Sequence, residues 1–128
     1  MPKVMIADDE EAIRLLIRDI LERSGDGFEI IEASNGQRVL ELLPQVQPEL
    51  LLLDIVMPEL SGIAVCDQVR RDPNLRHTKV VLVSGKGADD MVMAGLSAGA
   101  SDFITKPFSP LDLLSRVRKV LRDEVPVG

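Results

Sequence analysis

Apolar residues follow two alternating rhythms along this chain. Short runs, apolar at nearly every position, appear at residues 4–7 and 50–53. Such runs mark strands buried on both faces of a parallel sheet. Between the runs, apolar residues recur at helical spacing. Ile13, Leu16, Ile17, Ile20 and Leu21 predict a helix over 10–23, broken by Ser24-Gly25-Asp26-Gly27. A second strand is predicted over 28–32. Asn35 is an N-cap candidate for a helix reaching residue 46 through Val39, Leu40, Leu42 and Leu43. A third strand spans 49–54, and Met57-Pro58 turns the chain. The third helix covers 62–71 and stops at Asp72-Pro73. A β-branched strand follows over 79–84, then a loop at 85–87. The fourth helix covers 89–98, with Gly99 suited to a left-handed end. The fifth strand covers 101–105. Ser109 as N-cap and Pro110 in the first turn start the last helix, which reaches residue 122. Five strands alternating with five helices predict an α/β, doubly wound, five-stranded parallel sheet with helices on both faces.

Folds of this kind carry their sites at the carboxyl ends of the strands. Those ends hold Asp8 and Asp9 on strand one, Asp54 on strand three, Ser84 on strand four and Lys106 on strand five. Each has a plain structural reading, as a helix-start acid or a loop cap. The topology nevertheless gathers all five at one edge. Neighbouring carboxylates repel, by about 4 kcal/mol for two charges 4 Å apart at an effective dielectric of 20. Lys106 offsets one charge, and a hard divalent cation, Mg²⁺ or Mn²⁺, would offset two through oxygen ligands. No His or thiolate stands near, so zinc is not expected.

Composition narrows the function classes. The 128 residues are the size of one domain. Net charge is −6, against direct nucleic-acid binding by this domain. No stretch approaches the about 20 apolar residues of a membrane span. The single cysteine, Cys66, cannot form an intramolecular disulfide and agrees with a reducing, cytoplasmic setting. With no Trp, no Tyr and three Phe, the core must be aliphatic.

The motifs Ile6-Ala7-Asp8-Asp9-Glu10, Leu53-Asp54-Ile55-Val56-Met57-Pro58 with Gly62, Ser84, and the run from Ala98 to Phe108 through Lys106-Pro107 resemble the response-regulator receiver domain of two-component signalling. The resemblance implies a flavodoxin-like sheet of order 2-1-3-4-5, with residues 1–122 as the receiver and 123–128 as a tail or linker. It implies that Asp54 accepts a phosphoryl group from a histidine kinase or phosphotransfer protein. Asp8, Asp9, Asp54 and the Val56 carbonyl would hold the metal, and Lys106 would pair with the phosphoryl oxygens. Ser84 and Phe103 would switch the surface formed by helix four, strand five and helix five, which an output domain, a downstream protein or a second copy would read. The domain would act only on itself, catalysing its own phosphorylation and dephosphorylation. The Lys106-Pro107 bond is expected to be cis. Gly85 and Phe103 stand where receivers often carry Ala and Tyr.

Other readings fit less well. A degenerate, phosphorylation-independent binding module would lack one of the five edge residues. An aspartate-nucleophile phosphatase would carry an acid where Val56 stands. A flavin carrier would need a phosphate loop in place of Asp8-Asp9-Glu10-Glu11. The remaining residues are expected to have no chemical role: His77 as a surface residue, Cys66 as a small core hydrophobe, Met91 and Met93 as helix-four packing with room for one of them to face the output surface, and Arg116, Arg118, Lys119 and Arg122 as a solvated basic end of the last helix.

Overall fold

The computed structural model describes residues 2–85 and 89–122. The predicted tail, and the 85–87 loop beyond Gly85, lie outside them. Elements follow in the order β1 (Lys3–Ala7), α1 (Glu11–Arg23), β2 (Glu29–Ala33), α2 (Gly36–Val46), β3 (Leu50–Asp54), α3 (Gly62–Arg71), β4 (Lys79–Ser84), α4 (Asp89–Ser97), β5 (Asp102–Thr105) and α5 (Pro110–Arg122). All strand pairs are parallel, in the order β2-β1-β3-β4-β5. Both the predicted class and the strand order hold.

The two faces of the sheet follow from the two-residue period of a strand. Met5, Ala7, Leu51, Leu53, Val80 and Leu82 point to one face and pack under α2, α3 and α4. Val4, Ile6, Leu50, Leu52, Val81, Val83 and Ile104 point to the other and pack under α1 and α5. All five residues of β3 are buried, as its unbroken leucine run requires. The core is aliphatic: the three phenylalanines are only partly buried, at its margins.

Helix starts follow the capping residues. The Asn35 Oδ1 accepts the Arg38 N–H at 2.7 Å, as predicted. Ser109 Oγ accepts the Asp112 N–H at 3.0 Å. Gly99 has φ +109, the backbone that glycine alone takes without strain, and it seats the stem of Arg70. The Lys106–Pro107 bond is cis. Both edge strands have a carbonyl closed by an arginine, Ile30 by Arg18 at 3.3 Å and Phe103 by Arg116 at 2.7 Å. Bonds of this kind occupy groups that would otherwise invite another strand.

Of the basic residues of α5, Lys119 and Arg122 are exposed as expected, whereas Arg116 and Arg118 are half-buried in ion pairs. Arg116 binds Asp102 at 2.8 Å, and Arg118 binds Asp26 at 2.7 Å. The Arg118 contact holds the Asp26 carboxyl below its ordinary range. Cys66 is fully buried between α3 and α4, and burial pushes its thiol up, away from reactivity. His77 is exposed, with Nε2 at 3.3 Å from the Gln47 carbonyl oxygen. Met91 packs against the core, whereas Met93 is exposed. No described helix is long and apolar enough to cross a membrane.

Candidate phosphoryl-acceptor site

The strand register assembles the site. Ala7 pairs with Leu53, so Asp8 and Asp54, one step further along, stand side by side. Asp54 pairs with Val83, which puts Ser84 one step beyond it. Ser84 pairs with Thr105, which puts Lys106 one step beyond that. A hydrogen bond from the Lys106 N–H to the Ser84 carbonyl, 2.6 Å, fixes the last step. Asp8, Asp54 and Ser84 are buried, whereas Asp9 and Glu10 are exposed.

Among the described residues, Lys106 is the cation of the site. Its Nζ lies 3.1 Å from Asp8 Oδ2, 3.7 Å from Asp54 Oδ1 and 4.0 Å from Glu10 Oε1. Burial works against its charge. The hydrogen bond to Asp8 and the surrounding carboxylates outweigh that, and the ammonium is held above its ordinary pKa. Asp8 is tied at both oxygens, since Oδ1 accepts the Glu10 N–H at 2.9 Å while Oδ2 faces Lys106. Arg14 donates to the Asp8 carbonyl at 2.8 Å, so backbone and side chain are both anchored where α1 begins.

Asp54 is the strained member of the group. Burial pushes its carboxyl up, the Asp8 charge adds to that, and Lys106 only partly offsets them, leaving a pKa of about 6. A buried carboxyl beside another acid, with the Lys106 ammonium 3.7 Å away, is where added positive charge would be most stabilising. The Val56 N–H points to Asp54 Oδ1 at 3.4 Å, and the Val56 side chain is 62% exposed beside it. Phe103, on β5, is half-buried, against the core on one side and under the Arg116 guanidinium on the other.

The acids make an oxygen-only cluster. One ligand atom each from Asp8, Asp9 and Glu10 lie within 4.8 Å of one another, the right donor chemistry for a hard divalent cation. Glu10 is absent from the set implied by resemblance. Its sequence signal was its place directly after Asp8-Asp9, where it reads equally well as an acid at a helix start.

A family model, the response regulator receiver domain, matches residues 4–118. The chain belongs to the response-regulator receiver family. The receiver is 38% identical over 123 residues to the phosphate regulon transcriptional regulatory protein PhoB of Pseudomonas aeruginosa, covering 96% of this chain and 53% of that one. It is 39% identical over 120 residues to the transcriptional regulatory protein SrrA of Staphylococcus aureus, covering 94% and 48%. The receiver thus spans about half the length of these curated relatives. Among solved structures it resembles a CheY-like receiver domain protein of Methanospirillum hungatei, with TM-score 0.87, 28% identity and 97% and 96% of the two chains covered. It also resembles the receiver domain of a signal transduction histidine kinase of Syntrophus aciditrophicus, with TM-score 0.88, 29% identity and 100% and 96% covered. The chain is therefore a receiver domain of the kind found in the response regulators of two-component systems.

Proposed function

We propose that the receiver is a phospho-switch, in which Asp54 takes a phosphoryl group from the phosphohistidine of a sensor kinase or phosphotransfer protein. The observation that carries this reading is the Lys106 ammonium placed between buried Asp8 and buried Asp54 at the sheet edge. An Asp54 oxygen attacks phosphorus, the phosphorus–nitrogen bond breaks, and the imidazole leaves with the bonding electrons and takes up a proton. The product is a mixed anhydride on Asp54. The protein's share is to position the carboxylate and to offset charge. Lys106 is in reach of the incoming phosphoryl oxygens, and Ser84, next along the edge, offers them a hydroxyl. The domain acts on itself and is no enzyme for a separate substrate.

A divalent cation, Mg²⁺ or Mn²⁺, would be held by Asp9 with Asp8, Asp54 and the Val56 carbonyl, with Glu10 alongside. When bound it neutralises carboxylate and phosphoryl charge together. The output is a changed surface of α4, β5 and α5, reached through Ser84 and Phe103. The readers proposed for it are an output domain, a downstream protein or a second copy of the chain, in the cytoplasm. An aspartate-nucleophile phosphatase finds no support, because the residue two positions after Asp54 is Val56.

Incubation with Mg²⁺ and acetyl phosphate, followed by intact-mass measurement, tests the reading. One added phosphoryl group is expected, lost in Asp54→Asn and lost when the metal is chelated. No adduct from acetyl phosphate or from any histidine-kinase donor would overturn it in favour of a phosphorylation-independent binding module. A second expectation concerns the exposed Val56 side chain, which shields the acyl phosphate from water. Val56→Asn, which supplies an amide able to orient that water, should shorten the lifetime of the phosphorylated form about tenfold. An unchanged decay rate would remove Val56 from any role in the lifetime.

A further inference from the structure

Arg116 lies in the middle of α5 and reaches across to β5, where all its contacts bracket one residue. Its Nη1 donates to Asp102 Oδ1 at 2.8 Å and to the Phe103 carbonyl at 2.7 Å. Its Cζ stands 5.8 Å from the centroid of the Phe103 ring. Asp102 Oδ1 also accepts the Phe103 N–H at 2.8 Å. Guanidinium, carboxylate and peptide thus close a loop around Phe103. Among the described residues β5 is an edge strand, with β4 as its one neighbour.

We infer that Arg116 is a positioning residue of the switch, a clamp that favours the half-buried Phe103 rotamer over the alternative. The inference rests on the phospho-switch reading above. Its physical basis is a difference between two kinds of contact. The bonds to Asp102 and to the Phe103 carbonyl involve β5 groups that stay in place when the ring turns about its Cα–Cβ bond. The contact between cation and ring face does not survive that turn. It is present in one rotamer and absent in the other, which is the differential interaction that a shift in population requires. Removing the cation leaves the strand anchored by other bonds but frees the ring. If the turned-ring state is the one that accepts the phosphoryl group, freeing the ring raises the population of that state and the phosphorylation rate with it.

The experiment uses the full chain with para-fluorophenylalanine incorporated. The three phenylalanines give three fluorine signals, and Phe103→Leu identifies one of them. Arg116→Met keeps an apolar stem and drops the cation. Before phosphorylation, its Phe103 signal is expected part-way towards the position taken by the wild type under Mg²⁺ and acetyl phosphate. Its phosphorylation rate, followed by intact mass, is expected to rise about two- to fivefold, the scale of one exposed cation–π contact. Arg116→Lys, which keeps a cation, should fall between Met and wild type in both readouts. If Arg116→Met does not fold, Arg116→Gln, which retains a donor for Asp102 but no charge, is read in its place. A Phe103 signal and rate identical to wild type overturn the clamp, and so does a signal displaced away from the phosphorylated position. A wild-type protein that takes no phosphoryl group overturns the switch reading itself, and the clamp with it. A phosphorylated wild type with an indifferent Arg116 variant overturns the clamp alone.

Discussion

With divalent metal chelated, Asp54→Asn should make the protein more resistant to urea at pH 7.5, by up to about 3 kcal/mol. A substitution in the proposed phosphoacceptor is thus expected to stabilise the fold. The cause is the environment of the carboxyl. Asp54 is only 4% exposed, and burial, followed by the Asp8 charge, raises its pKa from 3.8 to about 6. The folded state therefore holds the Asp54 proton more tightly than the unfolded state. Between the two pKa values the folded chain binds more protons, so stability falls as pH rises through that window. Below pH 3.8 the carboxyl is neutral in both states and costs nothing. Above pH 6 it is ionised in both, and the full penalty applies. Asparagine keeps the shape and removes the charge, so its advantage should be largest at pH 7.5 and shrink below about 1 kcal/mol at pH 4. Urea midpoints at the two pH values measure this directly. Mg²⁺ should narrow the gap by stabilising the wild type more than the variant, because a ligand of the folded state adds to its stability by mass action. An Asp54→Asn protein less stable than wild type at both pH values would mean that the carboxylate is satisfied within the fold and is not held against its charge.

The elements were legible in the sequence because each is written in a local period. The leucine run of β3 and the three- and four-residue spacing in α1 state how each segment is buried. Capping residues such as Asn35 and Ser109 state where helices begin. The edges of elements were less legible. Phe28 reads as strand by its ring, but pairing on β1 begins with Lys3 opposite Glu29, and β2 ends at Ala33. Asp72-Pro73 reads as a stop for α3, yet Asp72 also accepts the Asn74 N–H at 2.9 Å and starts a 3₁₀ turn over Pro73–Leu75. The acids, serine and lysine of the site were legible because a parallel sheet brings strand ends together whatever their separation in sequence. Their chemical roles came from resemblance, since spacing alone does not tell a phosphoacceptor from a metal ligand. Arg116 was not legible at all. On α5 it reads as a cation near a helix end, and its seat on Phe103 depends on how α5 crosses β5, which no local period encodes.

Gly62→Ala should damage both stability and the site, through one contact. Gly62 opens α3 directly behind the end of β3, and its N–H donates to the Ile55 carbonyl at 2.8 Å. A Cβ at this position would stand 2.2 Å from the Asp54 carbonyl oxygen, 2.9 Å from the Ile55 Cα and 3.0 Å from the Asp54 carbonyl carbon. All three are backbone atoms, so no side chain can rotate out of the way. Either α3 lifts from the sheet or the end of β3 moves. Overpacking of this kind costs about 1–3 kcal/mol, which a urea midpoint resolves. The second consequence is specific to position. The group pushed is the peptide of Asp54 itself, whose carboxylate, in the proposed reaction, must meet a phosphoryl group aligned with Lys106, and misplacement by about 1 Å can cost on the order of 100-fold in rate. At a temperature where Gly62→Ala is fully folded, phosphorylation by acetyl phosphate should therefore slow by about 10- to 100-fold. Serine at this position should behave like alanine, because the clash comes from the Cβ and not from the hydroxyl attached to it. A folded Gly62→Ala protein that is phosphorylated at the wild-type rate would show that α3 absorbs the added methyl group. The closeness of helix and strand at Gly62 would then serve packing alone and leave the aim of Asp54 untouched.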